Sequence, residues 1–324
     1  MKTPKHAALV FALASQIGVF EQAPSNVRVD SGESLLLAQQ LEHVRAETYK
    51  IEYPELMARQ LFPVDNSVPS GAETHAFYVF DYVGRSSIIA NYADDLPLVN
   101  LKAEKKTAPL KGIGNSYSYS IQDLRAAAFA GVPLDSALAA ASREAHETTV
   151  DFVAAFGEGV LPGALNNSAI PEYSPINGAW ISGPATPTEI LADMDNLPYQ
   201  VVKANKFTAI PNVMLLPTNL YHYVASTRVS DLSETTILQS FLKTNPYIKE
   251  VRQWHYLDAA GTPSGSRIMV FKKDKNVIAI IESQPYEQLP PQAEGLMFVI
   301  YTHGRIGGVE VKKPKACGYM DGCD

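Results

Sequence analysis

Between Ala72 and Gly112 the chain alternates like a β-ribbon but carries too little apolar surface to bury itself. This limits the folds open to it more than any other feature. His75 to Val83 is rich in aromatic and β-branched residues, and Ser87–Ala90 and Thr107–Ile113 are similar. Between them runs a polar stretch, Asn91–Lys106, holding Asp94-Asp95, Pro97 and the lysines Lys102, Lys105 and Lys106. The pattern predicts strands flanking a long excursion. A two-stranded ribbon is marginal alone in water, so this one must lean on another surface.

The strongest single element comes next. Pro133 suits a first helical turn and Gly157 a left-handed stop, and they bracket a predicted helix over 133–156. Leu134, Leu138, Ala141, Ala145, Thr148, Phe152 and Phe156 step by four and three, which predicts one buried stripe. Asp135, Ser142, Glu144, Glu147 and Asp151 fall off it. At 1.5 Å per residue the helix is about 36 Å long. Just before it, Ser120 and Asp123 have capping-box spacing for a short helix with Ile121, Leu124 and Ala128 on one face, closed by Gly131. Upstream, Leu37, Leu41 and Val44 predict a helix over Ser34–Glu47.

Downstream, the turn-rich link Gly157–Asn167 leads into an αβ region. Thr186, Pro187 and Glu189 open a helix with Ile190, Leu191, Met194 and Leu197 inward, which Pro198 is expected to end or kink. Val213–Leu216 reads as a buried strand. Ser233 is expected to start a helix with Ile237, Leu238, Phe241 and Leu242 inward, stopped by Asn245-Pro246. Arg267–Phe271 and Val277–Glu282 read as a hairpin about Lys272–Asn276. Leu296–Thr302 and Val309–Val311 read as a closing pair of strands about the glycine-rich turn Gly304–Gly308.

Chemistry is conspicuous by elimination. A chain of 324 residues, 46% hydrophobic and 19% charged, has material for about two globular domains. Its net charge is -7 and its pI about 5.6. Lysines cluster only briefly, at 102–106 and at Lys312, Lys313 and Lys315, so no basic arm for gripping phosphates is expected. Cys317 and Cys323 are expected to be free thiols. No Gly-x-Ser-x-Gly elbow is present, and Gly112-x-Gly114 lacks the third glycine of a phosphate cradle. His6, His43, His75, His146, His222, His255 and His303 share no metal-ligand spacing. No catalytic residue, cofactor ligand or metal ligand is therefore expected. An unfamiliar enzyme site would have to be built around His75, Asp94 and Asp95, and a solvated turn is the simpler reading of that acidic pair. Tyr117 and Tyr119 alternate and mark one face of a sheet. Ala7–Phe20 is apolar behind Lys2 and Lys5 and reads as an N-terminal arm more than a secretory signal. No later stretch approaches 18 uninterrupted apolar residues, so no membrane span is expected.

The order of these elements resembles the tailed-phage major capsid proteins of the Hong Kong ninety-seven fold, shared with encapsulins. The match is tightest over Ile113–Asn167. There GNSYSYSIQDLRAAAFAG resembles the family's strand and short helix, PLDSALAAASREAHETTVDFVAAFGE its spine helix, and GVLPGALNN the loop leaving that helix. AETYKIEYPELMARQLFPVDNSVPSGAET and SSIIANYADDLP resemble the same family, and the similarity runs from about Arg45 to Lys313.

The resemblance implies an α+β fold. It has an N-terminal arm (1–50), a peripheral domain (51–71, 113–183 and 292–316) with the spine helix at 133–156, an extended β loop (72–112), an axial αβ domain (184–291) and a C-terminal tail (317–324). It further implies a non-enzymatic major capsid protein that self-assembles as homo-hexamers and homo-pentamers of an icosahedral virion shell in the host cytoplasm. That shell encloses double-stranded DNA without sequence-specific binding and meets portal, scaffold and decoration proteins, with no membrane involved. Only the first ~50 residues precede the matched region, so the resemblance points to a separate scaffold protein rather than a fused one. The founding member joins a loop lysine to a neighbour's late asparagine; here no Asn follows Asn276, so that cross-link is not expected. An encapsulin-type compartment is the alternative within the same fold.

Overall fold

The computed structural model describes residues 56–324 except 87, 89–97, 132–133, 231–233, 262–264 and 324. The predicted helix Ser34–Glu47, the N-terminal arm and Asp94-Asp95 lie outside the described residues.

In chain order, helix α1 (Ala58–Leu61) and strand β1 (Val64–Asp65) precede a ribbon of β2 (Thr74–Val83) and β3 (Asn100–Pro109). β4 (Lys111–Ser120) runs straight into α2 (Ile121–Ala130), then comes the long α3 (Leu134–Phe156). Short strands β5 (Gly157–Glu158), β6 (Leu161–Pro162) and β7 (Glu172–Tyr173) lead to α4 (Pro187–Asn205), β8 (Val213–Leu216), α5 (Thr218–Ser226), α6 (Ile237–Thr244) and β9 (Glu250–Gln253). β10 (Arg267–Phe271), β11 (Ile278–Gln288), β12 (Gln292–Glu294), β13 (Met297–Val311) and β14 (Gly318–Asp321) complete the chain.

The hydrophobic centre is a mixed sheet in the order β7-β14-β10-β8-β9. Its inner strands β14, β10 and β8 are buried on both faces, and β10 and β8 read as largely continuous apolar runs. Val213, Leu215, Met269, Phe271 and Tyr319 face one core with Phe62, Trp254, Ala154 and Ala155. Met214, Leu216, Ile268, Val270 and Met320 face the other, under α4, α5 and α6. Pro198 does not end α4, which continues through Asn205. Its missing donor forfeits one backbone bond, while the two turns beyond it bury Val201 and Val202 completely. α6 starts at Ile237, not near Ser233, because Thr236 and Gln239 close a reciprocal capping box. Ile237 and Phe241 are inward, but Leu242 is exposed.

The segment 317–324, set apart above as a tail, supplies β14, which lies between β10 and β7 in this sheet. Arg267 locks it there. Its guanidinium donates to both carboxylate oxygens of Asp321 at 2.8 and 2.6 Å, to Glu172 at 3.0 Å and to the Leu165 carbonyl at 2.5 Å, and lies 4.3 Å over the Tyr319 ring. Neither Cys317 nor Cys323 is in a disulfide, and both are buried. Burial pushes the Cys317 thiol up to about 12, so it stays protonated and inert.

The second sheet is built on β13, paired with β4 along one edge and with β11 and β12 along the other. Two expectations fail here. β10 and β11 are not a hairpin: the Asp274 turn sends them into different sheets. Gly304–Gly308 is not a turn between two strands but the middle of one 15-residue strand. A Cβ on Gly304 would stand 2.5 Å from the His146 ring of α3, and one on Gly308 (φ 73°) 2.4 Å from the Pro162 carbonyl oxygen. Glycine is needed there for close approach and for a left-handed residue, not for chain reversal.

The buried stripe of α3 also differs from the expected one. Ala141, Ala145 and Phe152 are exposed, while Ser142, His146, Val150, Asp151, Val153 and Ala154 are inward. Polar partners make the inward face affordable. Ser142 Oγ donates to Asn115 Oδ1 at 2.6 Å and meets the Tyr286 hydroxyl at 3.0 Å, and Asn115 Nδ2 donates to the Ser142 carbonyl at 2.9 Å. Asp151 Oδ1 accepts the Ala58 backbone N–H at 2.6 Å at the start of α1. Arg59 in α1 donates to both oxygens of Glu282 at 2.8 Å and to Glu147 at 2.6 Å. These bonds tie the spine helix to the β11–β13–β4 sheet.

Gly304→Ala should cost about 1–3 kcal/mol in denaturant unfolding, from overpacking against His146. Because the clash is with that one ring, adding His146→Ala should make the combined loss smaller than the sum. Additive losses would mean the strand yields elsewhere.

Candidate functional site

Side chains on a ribbon alternate between its faces. The sequence puts aromatics on alternate residues of β2, and that places Tyr78, Phe80 and Tyr82 on one side, across from Lys105, Ala103 and Leu101 of β3. All six are exposed, with Tyr82 at 79%. The Tyr78 and Phe80 rings stack at 6.3 Å. Ile88, Leu98 and Val99, further out, are exposed as well. β3 starts at Asn100, so Lys102, Lys105 and Lys106 lie in a strand of the ribbon and not in a polar stretch between strands. A contiguous apolar face of this kind in water marks a place where another surface belongs.

The root of the ribbon is anchored. Leu110 packs with Val68, Ala279 and Ile281, and its N–H donates to the Glu73 carbonyl at 2.9 Å. His75 Nε2 lies 3.7 Å from Glu310 of β13, a carboxylate only 5% exposed. Lys312 Nζ is 3.7 Å from the same carboxylate and 3.4 Å from Asp65. Burial pushes the Glu310 carboxyl above the ordinary range, against Lys312 and His75, which favour its charged form, and with Asp65, which opposes it.

A second exposed apolar patch lies at the far end of the β4–β13 pair. Ser120 opens α2 with the predicted capping box, and Gly131 closes it at φ 72°. None of α2 is buried: Phe129 is 96% and Leu124 41% exposed. The Ile121 N–H donates to the Leu296 carbonyl at 3.1 Å, which brings exposed Leu296 and Met297 to the same end. The sequence reading found that the ribbon needs an outside surface but not which of its faces, and it missed the α2 patch. The alternating aromatics of β2 were a usable signal for the ribbon face.

His75 faces Glu310, and Asp94 and Asp95 lie outside the described residues. Tyr117 and Tyr119 share one face of β4, as expected. Among the described residues, no group of His, Cys, Asp and Glu side chains is arranged to hold a metal. No single described helix is long and apolar enough to cross a membrane.

A family profile described as major capsid protein matches residues 84–323. No protein with a curated description matches. The capsid of the Myoviridae phage XM1 superposes with a TM-score of 0.76 at 17% identity, covering 88% of this chain and 98% of that one. The capsid of a native GTA particle gives 0.61 at 14% identity, covering 94% and 100%. The virus-like particle of Pyrococcus furiosus gives 0.51 at 13% identity, covering 81% and 91%. The fold is therefore that of the phage capsid proteins.

Glu310→Gln should isolate the charge at the ribbon root. Between the ordinary carboxylate range and the raised value, folded wild type holds more protons than unfolded, so its stability falls as pH rises. The unfolding midpoint of the variant should therefore gain on wild type through that window and match it below. A constant offset across pH would contradict the assignment.

Proposed function

This chain belongs to the major capsid protein family, and on that premise we propose that it builds an icosahedral virion shell from homo-hexamers and homo-pentamers around double-stranded DNA. The observation that carries the reading is the exposed face of Tyr78, Phe80 and Tyr82 on a ribbon with no core of its own. Laid over a neighbouring copy, that face becomes a buried interface. The two apolar patches differ from one another, so a contact joining them is heterologous and propagates to a closed ring or shell rather than stopping at a dimer. Many such contacts, each modest, hold a shell by repetition.

In this reading residues 72–112 are the loop over the neighbour. The peripheral domain comprises 51–71, 113–183 and 292–316, and the axial domain 184–291 surrounds the symmetry axes. Both proposed domains share strands: β11 begins inside the stretch proposed as axial yet pairs with β13. The acidic net charge of -7 suits a container whose DNA is enclosed without tight binding. Portal, scaffold and decoration proteins are the expected partners, and assembly takes place in the host cytoplasm. A cellular compartment of encapsulin type ranks second, since the Pyrococcus furiosus particle shares the fold less closely than the XM1 capsid does.

Electron microscopy of the purified protein should show closed or partial shells, or hexameric rings; monodisperse monomer at high concentration would overturn the reading. Phe80→Asp/Tyr82→Asp should leave the unfolding midpoint of the body unchanged. It should cut shell yield at least about tenfold, since each aromatic loses roughly 1.5–3 kcal/mol of burial per contact. Shells holding protein cargo in place of DNA would favour the compartment.

A further inference from the structure

The ribbon's other face closes over a cavity of about 600 Å³ lined by Val79 and Lys106 of the ribbon and by Asn205, Lys206, Lys313 and Lys315 of the body. Lys312 also lines it but is held by Asp65 and Glu310. Among the described residues no ion pair engages Lys106, Lys206, Lys313 or Lys315, and all four are exposed. Four ammonium groups surround one cavity, with Glu104 across from Val79 and Asp274 near Lys313 as the acidic groups beside them, and the positive excess that is left is one a negative partner would relieve. The rest of the wall is mostly apolar, from Val79, Ala169, Ala204, Ala209, Pro314 and Ala316, with Thr208 as a polar member. A cationic rim and an apolar floor together suit a peptide segment, whose carboxylates would meet the lysines and whose apolar side chains the floor. A phosphate backbone would use the rim alone.

The chain contains one adjacent pair of acidic residues, Asp94-Asp95, and it is followed by Leu96, Pro97 and Leu98. We propose that the Asp94–Leu98 segment of a second copy docks in this cavity, as a specific electrostatic latch between neighbouring subunits. In the shell-building reading the ribbon lies over a neighbour, so the segment that meets this cavity comes from another copy. The inference rests on the shell-building reading and names one of its contacts.

The test is a charge exchange. Lys313→Glu/Lys315→Glu and Asp94→Lys/Asp95→Lys should each reduce shell yield at least about tenfold, and the two sets combined should restore most of it. Wild-type assembly should weaken with rising salt. The neutral set Lys206→Gln/Lys313→Gln, with an unfolding midpoint equal to wild type, should give an intermediate loss and guards against misfolding of the reversed variants. If wild type forms no shells, the shell-building reading itself fails. If wild type assembles and the reversed variants assemble equally well, or the combined set is not rescued, the latch is wrong. If lysine reversal lowers only co-purifying nucleic acid and leaves shell yield unchanged, the cavity serves phosphate and the latch is equally wrong.

Discussion

Apolar surface that one copy of the chain cannot bury is the constraint on which the rest depends. Tyr78, Phe80 and Tyr82 project from β2, on the face of the two-stranded ribbon that nothing in the body covers. Backbone pairing fixes the ribbon's shape, but burial must come from outside it. A sequence that keeps three aromatics in water on one face has either an aggregation problem or a partner. Membership of the major capsid protein family favours a partner, and in the proposed shell that partner is a neighbouring copy.

The body is organised to hold such a ribbon in a defined place. β4 begins two residues after β3 ends and immediately joins the long β13. The spine helix is held to that sheet by polar bonds as well as by Val150 and Val153 packed with Ile306 and Ile113. Ser142, Asn115, Thr302 and Tyr286 form one set, and Arg59, Glu147 and Glu282 another. Hydrogen bonds have directional demands that methyl packing lacks, so they fix the register of helix on sheet. Small glycines in β13 then let the helix and the Pro162 loop approach closely. On the outer surface of α3, Phe152 packs against Phe156 and Tyr256, while Ala141 and Ala145 stay exposed.

What could be read from the sequence was local. The caps at Ser120–Asp123 and Thr186–Glu189 were legible because both partners of each box lie within one turn. The spine helix was legible from its bounding Pro and Gly. Its inward face was not, because the partners that let Ser142 and Asp151 be buried sit in β4, β13 and α1, far away in sequence. The glycines of β13 misled for the same reason: their cause is His146 and Pro162, not the residues beside them. The two arms of the Asp274 turn looked like a hairpin, since pattern records strands but not which sheet each joins. The terminal strand β14 was missed because the Arg267 clamp that fixes it reaches across 54 residues. For the candidate site, the excursion at 72–112 was visible as a deficit of core, while the apolar end formed by α2 and Leu296 required three dimensions.

Amide hydrogen exchange on dissociated subunits and on assembled particles, followed at residues 74–83 and 100–109, examines the dependence on a second copy most directly. Slow exchange of these amides only in particles, with the β8–β10–β14 sheet protected equally in both states, is the result expected. Equal protection of the ribbon in the isolated subunit would mean that the chain completes this surface by itself, and the account would be wrong at its root.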